Sequence, residues 1–355
     1  MSETEPMFDN PAFDGHERVL AFNDAASGLR AFIAIHSTAL GPAGGGCRLW
    51  RYADGEAALS DALRLSRGMS YKNALAGVPM GGGKAVILGP VPDERRAGVF
   101  AAFGRAVDSL SGTYVTAEDV GVSPADLERV AASTPYVSGI VVRNGVGGNP
   151  APFTARGVCV GIEAAASFAL GRSGLDGVRV AIQGLGGVGM NLAGALHARG
   201  AALVVADLAP VRVEEACDRY GAAPAGVEEI LTADADILAP CALGGIITED
   251  VARRMRATVV AGGANNQIAD AAAGRALFER GITYAPDYVI NAGGIILVSA
   301  EYFGATDLGG IEDRIDAIGP RTGRILETAR MTGTPSGVVA DQMAREVLAG
   351  ARVDA

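Results

Sequence analysis

Histidine and cysteine are scarce in this chain, and positive charge does not dominate it. Among 355 residues there are three histidines and four cysteines. The cysteines, Cys47, Cys159, Cys217 and Cys241, are scattered, with no C-x-x-C and no paired spacing. With His16, His36 and His197 they offer too few soft ligands at workable spacing for zinc, so no metal is expected. A Ser/His/Asp triad or a Cys/His pair is equally unsupported. Thirty basic residues against forty acidic ones leave a formal net charge of -10. That argues against nucleic acid or an anionic membrane as the main partner. The most apolar stretch, Val178 to Ala206, is broken by Gln183, Asn191, His197, Arg199 and many glycines, and does not read as a membrane span. Residues Met1 to Glu17 are acidic and polar, unlike a secretory signal or a transit peptide. The expectation is a reduced, cytoplasmic enzyme.

What is abundant is glycine, with 50 residues that fall in short clusters between apolar runs and follow no collagen-like period. The length suits two domains, each able to bury a core. Two apolar runs from Val19 to His36 flank Asn23-Asp24-Ala-Ala-Ser27-Gly28, a strand–turn–strand signal. A glycine cluster follows at 41–46, then a helical stretch from Glu56 to Met69, then Gly81-Gly82-Gly83-Lys84 opening the buried strand Ala85 to Leu88. Ser123-Pro124-Ala-Asp126 starts a helix, with Ser as cap and Pro at the first position. The Gly/Asn/Pro-rich segment from Arg143 to Pro152 is the predicted linker. Beyond it Thr154 is expected to cap a helix reaching about Ala169. Short β-branched runs then alternate with helices: Val178–Gln183, Ala202–Ala206, Asp236–Ala239, Thr258–Ala261 and Ile282–Ala285. That rhythm implies parallel pairing with right-handed crossovers, a doubly wound α/β domain. The predicted boundaries are 1–143 plus a C-terminal helix at about 331–355 for one domain and 144–330 for the other.

Gly184-Leu-Gly186-Gly187-Val188-Gly189 fits G-x-G-x-x-G directly after the strand Val178–Gln183. Such glycines allow a tight turn and let a pyrophosphate lie on the next helix's N-terminus. Asp207 stands 23 residues after Gly184, at the end of the following strand, where a carboxylate accepts hydrogen bonds from an adenosine ribose. It would repel a 2′-phosphate, and Leu208, Ala209 and Pro210 supply no cation, so NAD is favoured over NADP. The bland alternatives are a structural glycine turn and a helix-capping acid.

Two lysines stand out, Lys72 in Tyr71-Lys72-Asn73-Ala74 and Lys84 after its three glycines. The second is not a Walker A lysine, because Val78 and Ala85 occupy required Gly and Ser/Thr places. A lysine partly desolvated among glycines can serve as a base near neutral pH. The competing reading is a surface lysine on a flexible loop. Glu118-Asp119 sits where a strand ends, a common place for functional side chains and an ordinary place for acids.

These residues carry a resemblance. The chain resembles the glutamate, leucine, phenylalanine and valine dehydrogenase family, most of all its leucine and phenylalanine members. The matching blocks are Leu40-Gly-Pro-Ala-Gly-Gly-Gly46 with Arg48, Tyr71-Lys-Asn-Ala74, Gly81-Gly-Gly-Lys84 and Thr116-Ala-Glu-Asp-Val-Gly121. They continue with the dinucleotide loop, Pro240-Cys-Ala-Leu243, Ala264-Asn-Asn-Gln267 and Tyr284-Ala-Pro-Asp-Tyr-Val-Ile-Asn-Ala-Gly-Gly294. They keep family order from about residue 18 to 303. Cys47 in place of threonine, and Pro90 after the lysine strand, depart from the pattern, and the last fifty residues match poorly.

The resemblance implies an N-terminal α/β substrate and oligomerisation domain, a C-terminal Rossmann domain, and a cleft between them. It implies reversible oxidative deamination of an apolar L-amino acid to the 2-oxo acid, ammonia and NADH, with homo-oligomers. Lys72 would bind the α-carboxylate, Lys84 would be the general base, and Asp119 would exchange protons with the amino group. Gly44, Gly45, Ala117, Ile295 and Val298 would line the substrate pocket, with Asn265 and Asn291 positioning substrate and nicotinamide. Thr154, Gly184, Gly186, Gly187, Val188, Gly189, Asp207, Cys241 and Ala242 would hold NAD. No charged residue lines that pocket, so a γ-carboxylate would lack a partner. Branched aliphatic substrates are expected, with phenylalanine as the alternative because Gly44 widens the pocket. Another Rossmann oxidoreductase, or an inactive dinucleotide-binding module, is the more distant reading.

Overall fold

The structure is a computed structural model, and it describes residues 7–140, 142 and 146–353. The chain divides into two compact units. Met1–Gly148, Val298–Leu308 and Ala344–Ala355 form the first, and Asn149–Leu297 with Gly309–Met343 form the second. The boundary lies at 148 rather than 143, and three residues of the predicted linker, 143–145, fall outside the described residues. Two further differences have visible causes. The Glu301 carboxylate accepts backbone N–H bonds from Gly139 and Ile140 at 3.0 Å, which ties 298–308 to the first unit. The tail joins that unit only from 344, where Arg345 donates to the Tyr71 hydroxyl at 2.7 Å.

The first unit contains β1 (Arg18–Asp24), β2 (Leu29–Ser37), β3 (Ala43–Trp50), α1 (Gly55–Ala76), β4 (Gly81–Leu88), α2 (Asp93–Asp108), β5 (Tyr114–Glu118) and α3 (Pro124–Ala131). Its sheet order is β1-β2-β4-β3-β5, antiparallel as far as β4 and parallel from β4 through β3 to β5. Side chains alternate across it. Ile33, Ile35, Ala85 and Ile87 face Phe100 and Phe103 of α2 and Leu127 of α3. Ala34 and Val86 face the opposite way, onto Ala58, Ala62 and Leu63 of α1. The sheet is therefore sandwiched, and the parity of Val86 also turns Lys84 toward α1.

Helix α1 is longer than the pattern predicts, running past Met69 to Ala76 and ending on Gly77 in the left-handed conformation, φ +67°. Lys72 consequently lies on a helix. Gly44 to Gly46 and Gly81 to Gly83 lie within strands rather than loops, which removes the reading of Lys84 as a flexible-loop residue. At α3 the expected capping box forms between Ser123 and Asp126.

The second unit holds α4 (Ala151–Leu170), β6 (Arg179–Gln183), α5 (Gly187–His197), β7 (Ala202–Ala206), α6 (Pro210–Tyr220), β8 (Ala223–Pro224), β9 (Ile237–Pro240), α7 (Glu249–Arg254), β10 (Val259–Val260), α8 (Ala271–Glu279), β11 (Thr283–Tyr284) and α9 (Asp287–Ile290). The chain ends through α10 (Gly293–Tyr302), α11 (Leu308–Asp316), α12 (Ile318–Thr332) and α13 (Ser336–Val353). The six strands are all parallel in the order β11-β10-β9-β6-β7-β8. Chain order reverses between β6 and β9, the doubly wound arrangement of dinucleotide-binding folds. The short edge strand β8 is not visible in the sequence pattern.

Thr154 is not the cap of α4. The helix starts at Ala151, with Pro150 before it and the Asn149 Oδ1 accepting the Ala151 N–H at 3.0 Å. Thr154 already lies within the first turn, where its N–H donates to the Pro150 carbonyl at 2.9 Å. By length and composition α4 could cross a membrane, whereas 178–206, the stretch singled out in the sequence, folds as strand, helix and strand. Within α4, Val158, Cys159, Ile162, Ala165 and Ala166 are buried, as in the core helix of an α/β unit.

Two of the three histidines are buried beside α1. The His36 ring shares a 2.8 Å hydrogen bond with Ser70 and stacks edge-on against His16, centroids 4.9 Å apart. Burial, then His16, lowers the His36 pKa from 6.5 to about 4. Unfolded His36 takes up its proton near 6.5 while the folded side chain resists to about 4, so stability falls as pH drops through that window. The melting temperature is expected to fall between about pH 7 and about pH 4.5, with a shallower fall in His36→Asn. Equal slopes for both proteins in calorimetry would remove His36 as the cause.

Candidate active site

In the first unit the predicted pair is formed. Lys84 Nζ lies 2.8 Å from Asp119 Oδ2, and Lys84 is only 5% exposed. Arg48 Nε donates to the same oxygen at 3.0 Å. Burial alone would raise the Asp119 carboxyl; the Lys84 ammonium and then the Arg48 guanidinium outweigh it and hold the pKa below the ordinary value. A carboxylate and an amine held this close, largely out of water, can pass protons to and from a bound amine or water.

Glycine makes the pair possible. A Cβ on Gly45 would lie 1.8 Å from the Gly83 carbonyl oxygen, and one on Gly82 would lie 2.1 Å from the Ser70 nitrogen of α1. Strands β3 and β4 and helix α1 therefore meet backbone to backbone. Asn73, next to Lys72, fastens the helix by donating to the Gly81 carbonyl at 2.6 Å. Ala117 pairs in register with Gly46. Gly44 does not simply widen a pocket: a Cβ there would meet the Met80 sulfur at 2.9 Å, so a flexible thioether occupies that space.

In the second unit the glycine loop follows β6 and Cys241-Ala242 follows β9. Both lie at the carboxyl ends of the two strands where the order reverses, the place where such folds take ligands. Gly184 has φ +94°, and a Cβ on it would meet Ala242 at 2.7 Å. A Cβ on Gly189 would strike the Gly184 oxygen at 1.9 Å, while the space above Gly186 is open to 4 Å. Gly187 and Val188 form the first turn of α5, which has no side-chain cap at Gly186. This cradle fits a pyrophosphate.

Asp207 is more occupied than the sequence suggests. Its Oδ2 accepts the Leu185 N–H at 2.6 Å and its Oδ1 the Ala209 N–H at 2.8 Å. Arg212 Nη1 stands 3.7 Å from Oδ1. The expectation that no cation is near is therefore wrong, because the first turn of α6 brings Arg212 back past Leu208, Ala209 and Pro210 to the carboxylate. Asn291 Nδ2 donates to Asn265 Oδ1 at 2.8 Å, joining two predicted residues. Thr154 abuts Gly294, where a Cβ would lie 2.7 Å from its hydroxyl. Ile295 and Val298, three apart on α10, share a helix face. A separate cavity of about 650 Å³, bounded by Leu277, Phe278, Tyr284 and Val338, contains none of the predicted site residues.

Comparison with known proteins decides the family. Residues 16–136 match the family described as Glu/Leu/Phe/Val dehydrogenase, dimerisation domain. Residues 212–309 match Glutamate/Leucine/Phenylalanine/Valine dehydrogenase. Leucine dehydrogenase of Bacillus subtilis (strain 168) is 45% identical over 331 residues, 93% of this chain and 91% of that protein. The chain belongs to the glutamate/leucine/phenylalanine/valine dehydrogenase family. Valine dehydrogenase of Streptomyces virginiae is 43% identical over 341 residues, 95% of each chain. The crystal structure of L-tryptophan dehydrogenase from Nostoc punctiforme superposes with a TM-score of 0.84 at 40% identity, covering 95% of this chain and 97% of that one.

Residue patterns placed Asn73 and Arg48 in motif blocks but did not reveal their contacts, nor that Met80 lies beside Gly44. Their signals were present, a methionine before a glycine run and an arginine two residues after one, but neither has meaning until the strands pair. Gly82→Ala is expected to destabilise the protein by about 3 kcal/mol or more through overpacking against Ser70. Gly68→Ala, on an open face of α1 with nothing within 4 Å, should instead stabilise it by about 0.5–1 kcal/mol. Urea unfolding of the two variants measures both; similar midpoints would contradict the close seat of α1.

Proposed function

We propose that the chain is an NAD-dependent dehydrogenase of branched aliphatic L-amino acids, of the leucine, valine or isoleucine type. Reversible oxidative deamination of apolar amino acids is the activity supported by the leucine and valine dehydrogenase relatives. The observation that carries the reading is the buried Lys84–Asp119 pair at 2.8 Å. Lys72 holds the substrate carboxylate by charge. Asp119 takes a proton from the substrate ammonium, so that the free amine is the reacting form. Bound NAD would supply the hydride acceptor for Cα. Lys84, once its ammonium has released a proton to solvent, removes a proton from the water that adds to the imine carbon, and Asp119 returns a proton to the departing ammonia. The balance is amino acid, NAD⁺ and water giving 2-oxo acid, ammonium and NADH with one proton.

Asn265, Asn291 and Thr154 orient substrate and nicotinamide, and Gly184, Gly186, Gly187, Val188, Gly189, Cys241 and Ala242 hold the dinucleotide. Gly44, Gly45, Ala117, Ile295 and Val298 line the side-chain pocket. Phenylalanine is the second reading, favoured by Gly44 and resisted by Met80 over it. The four free cysteines and the dimerisation-domain match support a cytoplasmic homo-oligomer.

The decisive experiment is NADH oxidation with a panel of 2-oxo acids, with and without ammonium. Ammonium-dependent turnover is expected, fastest with branched aliphatic acids, and Lys84→Ala should lower kcat by about 100-fold or more while NAD binding persists. Turnover that ignores ammonium would point to a hydroxy acid enzyme instead.

Cofactor choice tests Asp207. Its carboxylate favours ribose hydroxyls, and Arg212 is the nearby cation that softens its repulsion of a 2′-phosphate. Asp207→Ser is expected to lower the NAD/NADP ratio of kcat/KM, and Arg212→Ala to raise it by about 10-fold, roughly 1.4 kcal/mol. An unchanged ratio in both variants would leave Asp207 a capping residue of its turn.

A further inference from the structure

Asp119 is held from two sides. Lys84 approaches Oδ2 from β4, and Arg48 approaches it from β3. Behind Arg48 stands a second carboxylate: Arg48 Nη1 donates to Asp61 Oδ2 at 3.1 Å. Asp61 comes from α1 and is itself fixed by the Tyr52 hydroxyl at 2.6 Å and by Arg64 at 2.6 Å. The guanidinium is planar with five donors, so it can bind both carboxylates at once in a fixed geometry, which an ammonium cannot do. Asp61 lies eleven residues before Lys72 on α1, about three turns and therefore on nearly the same face. One helix thus carries both the anchor of Arg48 and the proposed substrate cation.

We infer that Arg48, anchored by Asp61, is a positioning residue that fixes Asp119 against Lys84 and keeps it ionised for proton exchange with the substrate amine. The inference rests on the reading under Proposed function. The other titratable groups facing Asp119 are the Cys47 thiol on β3 and the Tyr114 phenol on β5. Burial pushes both up and keeps them neutral, so neither competes for the proton. Removing Arg48 takes a positive charge from Asp119; removing the charge of Asp61 takes away an opposing negative one. The two changes therefore move Asp119 in opposite directions, which a purely structural role would not do.

The test is the pH profile of kcat/KM for leucine with NAD, in the full-length protein. Arg48→Gln is expected to lower kcat by about 100-fold with KM little changed, and to move the acid limb to higher pH. Asp61→Asn is expected to lower kcat less and to move the limb to lower pH. Arg48→Lys should restore the limb without restoring kcat. Should Arg48→Gln not fold, as judged by circular dichroism, the other two variants carry the comparison. Both limbs moving the same way, or an unaltered kcat and profile in Arg48→Gln, would overturn the inference. The Asp119 carboxyl band, assigned by its loss in Asp119→Asn and followed against pH by infrared difference spectroscopy, reports the same shifts without turnover. An unmodified protein that does not deaminate any amino acid would sink the proposed function, while opposite band shifts would still uphold the clamp.

Discussion

The first unit depends on how near its backbones come to one another. Helix α1 rests on β4 at Gly82, and β3 meets β4 at Gly45 and Gly83, at separations that leave no room for a Cβ. This close seat brings Asn73 within reach of the Gly81 carbonyl and places Asp61 beside Arg48. Lys84, on the same strand, is buried. Glycine in strand interiors weakens a sheet, since it adds no packing and loses much entropy on folding. The Phe100, Phe103, Ile33 and Ile35 core on the opposite face supplies the burial that compensates.

Enclosing Lys84 would be unfavourable if the charge stood alone. Here the charges alternate. Lys84 and Arg48 flank Asp119, Arg48 and Arg64 flank Asp61, and Tyr52 fills a remaining position on Asp61. Breaking such an arrangement by deleting one member is costly, because the partner is left charged and poorly solvated. The same arrangement favours the ionised form of Asp119 despite its burial.

The second unit solves a different problem with the same residue type. Gly184 and Gly189 let the loop after β6 fold tightly onto itself and onto Ala242 after β9. Asp207 then ties the loop to the next strand by accepting the Leu185 N–H. Each Asp207 oxygen accepts one backbone N–H, from Leu185 or Ala209, and keeps a second lone pair.

Local pattern was sufficient for much of this protein. The strands before and after the glycine loop, the capping box at Ser123, and the order of parallel strands and helices follow from periodicity and turn chemistry over a few residues. The pairing of Lys84 with Asp119 was legible only through family resemblance, because the two lie 35 residues apart in different segments of the sheet. Tertiary structure alone decided that Gly44 to Gly46 and Gly81 to Gly83 are strand, that Met80 fills the space beside Gly44, and that Arg212 returns to Asp207. Each of those depends on which backbones lie side by side. Glycine has no side chain to announce a partner, so its meaning is set by the neighbour that folding brings against it.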